Sequence, residues 1–171
     1  MDSSQIFIGL SLSLLLMGGC EVPSRPSEPT IDFGGYEWVT ASNSTDSALS
    51  LLIRFEDGDG DLGLDPVDTF PPFNLGSPYY YNIFAFYYEK VDGQFQEVTI
   101  SEFSNDTIRF HGRFPRLDKQ YPRRYLKGTI RYTLPLFTTR KSDTIRFRIR
   151  IYDRALHPSN EILTPPFIYR K

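Results

Sequence analysis

Three stretches of this chain alternate apolar and polar side chains with a period of two. Over residues 144–152, Ile145, Phe147, Ile149 and Ile151 interleave with Arg146, Arg148 and Arg150. Over residues 129–137, Ile130, Tyr132, Leu134 and Leu136 interleave with Arg131 and Thr133, and over residues 47–55, Leu49, Leu51, Ile53 and Phe55 share one parity. A strand points successive side chains to opposite faces, so each stretch buries one face and wets the other. No run of ten or more residues carries a convincing helical period. Aromatic residues make up 15% of the chain beside 13 Pro and 12 Gly, which suits strands broken by turns. Further strands are expected at residues 31–39, 80–90, 95–100, 107–112 and 162–170, with Asp92-Gly93 as a tight hairpin turn. Seven or eight short strands of this kind predict an all-β fold, an antiparallel β-sandwich. Residues 80–90 are apolar on both parities, so they are covered on both faces or form part of a recognition surface. Two connections, residues 57–78 and 113–127, are long enough to carry function.

The first residues read as an address. From Ile6 to Met17 the chain is apolar apart from Gly9, Ser11 and Ser13, too short to cross a bilayer but suited to a secretory signal. Leu16-Met17-Gly18-Gly19-Cys20 follows directly. This segment resembles the lipobox of bacterial lipoproteins, a family in which the signal is cut before the Cys and the Cys is lipidated. It departs from the pattern in one respect, since residues 1–5 carry no Lys or Arg. The bland alternative is a free thiol in an uncleaved segment. The resemblance implies a signal peptide at residues 1–19, lipidation at Cys20 and location in the cell envelope, anchored to the outer membrane. Pro23, Pro26 and Pro29 then make residues 20–30 a semi-rigid tether of roughly 30 Å, holding the 31–171 domain off the surface.

Charge and cysteine content exclude several classes. The formal net charge is -2 and the pI about 5.7, so nucleic acid is not an expected partner. A single Cys and two His leave no disulfide framework and nearly exclude a zinc site. Basic residues concentrate in the second half, where arginines on wet strand faces are expected to sit across from acids of the first half.

The acidic stretch after the 47–55 strand is the sharpest chemical feature. Counting Asp57 as position 1, carboxylates fall at positions 1, 3, 5, 9 and 12: Asp57, Asp59, Asp61, Asp65 and Asp68. This spacing resembles the EF-hand calcium loop, in which these positions supply hard oxygen ligands and position 7, here Gly63, a backbone carbonyl. Position 6 is Leu62 rather than Gly, and position 12 is Asp rather than the longer Glu. The flanks are strands, so a loop on a sandwich is expected, not a helix–loop–helix unit. The alternatives are a calcium site and a solvated acidic turn; magnesium is less suited to so irregular a set.

A second segment, Asp153 to Asn160, follows the Arg-striped strand. It resembles the aspartate–small residue–asparagine turn between the last two strands of immunoglobulin-like bacterial domains. That likeness implies that residues 47–55 and 145–152 are strands B and F, whose following loops share one end of the sandwich. Asp153 and Asn160 are then expected near Asp57, Asp59 and Asp61, or else they cap only their own turn. Together, the lipobox, the Phe55-Glu56-Asp57-Gly58-Asp59-Gly60-Asp61-Leu62-Gly63 stretch and the Asp153-Arg154-Ala155 turn resemble a group of Bacteroidota-type lipoproteins. The same resemblance raises O-glycosylation at the Asp46-Ser47, Asp106-Thr107 and Asp143-Thr144 pairs, each of which equally fits a turn entering a strand.

No catalytic constellation emerges. No Gly-x-Ser-x-Gly elbow and no phosphate-cradling glycine loop is present, so a non-enzymatic role is expected. The leading expectation is a calcium-stabilised, lipid-anchored interaction or structural module with a protein or glycan partner. The runner-up is a glycan-binding lipoprotein that stacks sugars on rings, with Phe73, Tyr79 and Tyr80 as the candidate contacts.

Overall fold

A computed structural model describes residues 25–40, 46–98, 110–117, 125–136 and 142–169. The strands are β1 (Thr30–Thr40), β2 (Asp46–Asp57), β3 (Ile83–Val91), β4 (Gln94–Glu97), β5 (Leu126–Pro135), β6 (Thr144–Ile151), β7 (Ile162–Leu163) and β8 (Phe167–Ile168). They form one sheet in the order β1-β2-β5 and a second in the order β4-β3-β6-β7, with β8 also on β6. Every pairing is antiparallel. With β2 as strand B and β6 as strand F, this is the strand order of an immunoglobulin-like sandwich, A-B-E against C′-C-F-G.

The period-two pattern maps onto the core. Leu49, Leu51, Ile53 and Phe55 of β2 and Ile145, Phe147, Ile149 and Ile151 of β6 all point inward and are buried. Each such side chain is worth about 1.5–3 kcal/mol over exposure. The two sheets meet through rings as well: Phe167 of β8 lies 6.1 Å from Phe33 and 4.8 Å from Tyr36 of β1.

The double-sided apolar character of residues 80–90 has a local cause. Ile83, Ala85 and Tyr87 face the core, while Phe84, Phe86 and Tyr88 face out and are only half-buried. Their register partners on β6 are Arg150, Arg148 and Arg146. The Arg148 guanidinium lies 4.4 Å from the Phe86 ring centroid, and that of Arg146 lies 4.0 Å from Phe95 of β4. The His111 ring packs 4.8 Å from Phe84 and 5.1 Å from Phe86. Guanidinium planes and an imidazole thus cover the outer rings, a use of arginine that also keeps its charge in water. Cross-strand acids take the remaining charge: Arg131 pairs with Glu37, Lys127 with Glu56, and Arg148 and Arg150 with Glu161.

Several expected strands differ in extent. The one at residues 95–100 runs from Gln94 to Glu97, and residues 99–100 lie outside the described residues. The strand at residues 80–90 begins only at Ile83, because Asn82 is committed to the loop described below. The single final strand at residues 162–170 is split, since Pro165 and Pro166 have no N–H to give to β6. Thr164 compensates: its Oγ1 accepts the Phe147 N–H at 3.0 Å. Of residues 107–112, the first three lie outside the described residues, and Gly112 contributes one isolated bridge to Ile83.

Before β1, residues 25–29 lie against the domain. Pro29 is buried, the Arg25 guanidinium stacks 3.7 Å from the Tyr125 ring centroid, and the Pro26 carbonyl closes on Gly58. This part of the Pro-rich segment therefore adds no free reach to a tether.

Candidate metal centre

Strand β2 keeps its ladder to both neighbours up to Asp57, which pairs with Leu126, while Glu56 pairs with Thr30. The chain then folds back on itself. Gly60 takes a φ of 75°, a conformation glycine enters at little cost, and the Asp61 N–H donates to Asp57 Oδ2 at 2.9 Å. Leu62 is fully buried and forms a bridge with Asp153 just beyond β6. That bridge joins the two loops: the Arg154 N–H donates to Asp61 Oδ1 at 3.3 Å. Asp153 also orders its own turn by accepting the His157 N–H at 2.7 Å and standing 2.9 Å from its Nδ1.

The outcome is four carboxylates at one end of the sandwich. Asp57, Asp59, Asp61 and Asp153 each offer an oxygen, and these oxygens lie within 4.8 Å of one another. Two ligands of one calcium ion, each about 2.3–2.6 Å from it, stand at most about 5 Å apart, so the set can hold a metal ion. Asp57 is 1% exposed, yet its Oδ1 has no hydrogen-bond partner, and neither has the buried Oδ1 of Asp59. A buried carboxylate oxygen left unsatisfied is costly. Among the described residues, no Lys or Arg side chain pairs with Asp57, Asp59 or Asp61.

Electrostatics follow from that crowding. Burial, reinforced by the charges of Asp59 and Asp61, pushes the Asp57 carboxyl up to about 7. Burial and the Asp153 charge raise Asp61 to about 6. Asp153 is raised by burial against the opposing pull of His157, and His157 is raised by its bond to Asp153. Without a cation, Asp57, Asp61 and Asp153 therefore keep their protons to higher pH than an ordinary aspartate.

The rest of the expected ligand set lies elsewhere. Asp68 is held by both guanidinium nitrogens of Arg154, which keep its carboxyl below the usual range, and its Oδ2 accepts the Asp65 N–H at 2.6 Å. Asp65 faces Arg116 at 3.5 Å. Gly63, with φ 98°, packs on the backbone of Pro115 and Arg116. The Asn160 side chain bonds both the N–H and the carbonyl of Ile31, clipping the start of β1. The loop leaves the EF-hand path at position 6 because Leu62 is drawn into the core, and Asp153 joins the cluster in place of positions 9 and 12.

Two organising residues had no signature in the sequence. Buried Asn82 donates to the Phe114 carbonyl at 3.0 Å and accepts the Phe114 N–H at 2.8 Å. Arg113 donates to the carbonyls of Tyr80, Asp68, Phe73 and Asp65 at 2.8, 3.0, 3.3 and 3.3 Å. One guanidinium thus clamps the 65–81 loop at four points. Arg113→Ala is expected to cost about 1–2 kcal/mol, and limited proteolysis should cut within residues 66–81 of the variant while sparing the wild type.

The candidate glycan contacts are part of this clamped loop. Phe73, Tyr79 and Tyr80 are half-buried. Tyr79 meets Tyr152 at an interplanar angle of 74°, and Tyr80 meets Tyr81 at 75°. These rings pack edge-on rather than as one flat platform, and Arg154 and Arg113 lie 5.7 Å and 5.0 Å from the Phe73 and Tyr80 centroids.

Cys20 lies outside the described residues. Among those residues, no helix is long and apolar enough to cross a membrane. Fold and site together define an immunoglobulin-like β-sandwich with a four-aspartate cluster between its B–C and F–G loops. Comparison with protein-family models, curated proteins and solved structures returned no match.

Proposed function

We propose that this chain is a lipid-anchored interaction or structural module of the outer cell envelope, one end of which is organised by calcium. The observation that carries the metal reading is Asp57 Oδ1, buried without a partner inside a cluster of four carboxylates whose oxygens lie within 4.8 Å of one another. An all-oxygen, irregular donor set suits calcium, which tolerates varied geometry, better than magnesium, which demands a strict octahedron. Bound there, the ion ties the end of β2 to the end of β6 and, through Arg154 and Asp68, steadies the 65–81 loop. The anchor rests on the likeness of residues 16–20 to a lipobox.

Calorimetric titration of metal-stripped protein tests the site. One calcium per chain is expected to bind, with no comparable heat from magnesium, and the Asp59→Ala/Asp61→Ala variant is expected to give none. Absence of calcium binding to the wild type at millimolar concentration would leave an acidic turn and remove the reading.

A further inference from the structure

The end of the sandwich that holds the aspartates also carries its most exposed apolar side chains. Val67, Phe70 and Leu75 are 76%, 77% and 78% exposed, the highest values among the large hydrophobic residues described. All three lie in the loop between β2 and β3. From Pro66 to Tyr81 the one charged residue is Asp68, and its charge is taken by Arg154. The loop is not a loose apolar strand, because Arg113 holds its backbone from below. Clamped, uncharged and apolar at its tip, it suits a surface that is itself apolar a short way below its polar layer.

The path of the chain says which surface. β1 starts at Thr30 opposite Glu56, so the polypeptide enters the domain at this same end. Arg25 already lies against Gly58 and Tyr125, one residue from Asp57 and adjoining the first residues of β5. From Cys20 to Arg25 is five residues, which span at most about 17 Å when fully extended. We propose that the tip of the β2–β3 loop, through Val67, Phe70 and Leu75, inserts into the interface of the membrane that holds the Cys20 lipid. The inference rests on the lipid-anchor reading above. It adds an orientation: the aspartate end faces the bilayer and the β3–β4 hairpin at Asp92-Gly93 faces away.

The test uses the full, acylated chain, in which Cys20 is consumed by lipid and an introduced cysteine is the sole free thiol. Leu75→Cys and, as the distal control, Gln94→Cys are labelled with an environment-sensitive fluorophore and reconstituted on phosphatidylethanolamine/phosphatidylglycerol vesicles. Leu75 and Gln94 are both exposed, and Phe70→Cys serves as a second tip position. Blue-shifted emission at positions 75 and 70 that is lost with lipid-borne quenchers, with emission at 94 unaffected, is the expected result. Protein that floats with the vesicles but shows no quenching at 75 or 70 overturns insertion and leaves the anchor standing. Protein that stays off the vesicles overturns the anchor and the insertion with it. Emission that changes with protein concentration, and not with the lipid quencher, assigns the tip to a second copy of the chain and overturns the membrane reading.

Discussion

In chelator at about pH 8, the Asp57→Asn variant is expected to melt above the wild type; in saturating calcium the ranking reverses. The side-chain carbonyl of the introduced asparagine still accepts the Asp61 N–H, as Asp57 Oδ2 does. Its amide puts an uncharged donor in place of the orphan Oδ1 and removes one of the four clustered charges. Solvent on the open side of the cluster screens the relieved repulsion, so we expect a gain of about 1–2 kcal/mol, or several degrees in a domain of this size. Calcium is expected to act only on the wild type. At 100 times its dissociation constant a native-state ligand adds about 2.7 kcal/mol, more than the substitution gains. Thermal melts of both proteins in both buffers check the crossing. A variant less stable than the wild type in chelator would mean that Asp57 is structurally satisfied without metal.

The same cluster sets the pH dependence. Asp57 and Asp61 titrate at about 7 and about 6 in the folded chain against an ordinary 3.8, so the native state holds protons that the unfolded state has released. Their contribution is fully present below about pH 4 and is lost as pH rises through about 6–7. His157, raised by Asp153, acts in the same direction from its ordinary 6.5 upward. Asp68, lowered by Arg154, acts oppositely, but only below the ordinary carboxylate range. Melting temperature in chelator therefore falls between about pH 5 and 8, and calcium, which displaces those protons, removes most of that slope.

Gly63→Ala is expected to damage the loop beside the site through both backbone strain and a steric clash. A side chain at φ 98° is strained by about 1–3 kcal/mol. Its Cβ would also stand 2.2 Å from the Pro115 carbonyl oxygen and 2.6 Å from Arg116 Cα, backbone atoms that cannot swing aside. To make room, the seam of Leu64 N–H to Phe114 and Leu117 N–H to Leu62 must open. We expect a loss of about 3 kcal/mol, near 6–12 °C, together with weaker calcium binding. Gly76→Ala separates the two causes. Gly76 has φ 86° with open space around it, so its variant feels the strain alone and loses about 1 kcal/mol. Equal losses at the two positions would show that the Pro115 contact carries no weight.

Much of the fold was legible because a strand's two faces are written residue by residue. The alternation in residues 47–55, 129–137 and 144–152 gave β2, β5 and β6 with the core side correct. One break came from a hydrogen-bond partner distant in sequence and one from local chemistry. Asn82 shortens β3 because its amide serves Phe114, 32 residues on. Pro165 and Pro166 divide the last strand, a split visible in the sequence once the missing N–H groups are counted.

The acidic loop divides along the same line. Asp57, Asp59 and Asp61 converge for a local reason, since alternate residues of a tight, glycine-bearing turn point inward. Spacing alone also assigned Asp65, Asp68 and Gly63 to one cage, and the tertiary structure separates them. The reason is competition: Arg154, 86 residues beyond Asp68, claims its carboxylate, and the core claims Leu62. Local periodicity thus dictated which side chains are buried and which three aspartates share a turn. The likeness of residues 153–160 to an immunoglobulin-like turn set Asp153 beside those three, and the docking of the β6 end on the β2 end brings it there. That Arg154 would take Asp68 from the cage was decided by the tertiary structure alone, because a charge finds its partner through space and spacing along the chain carries no record of it.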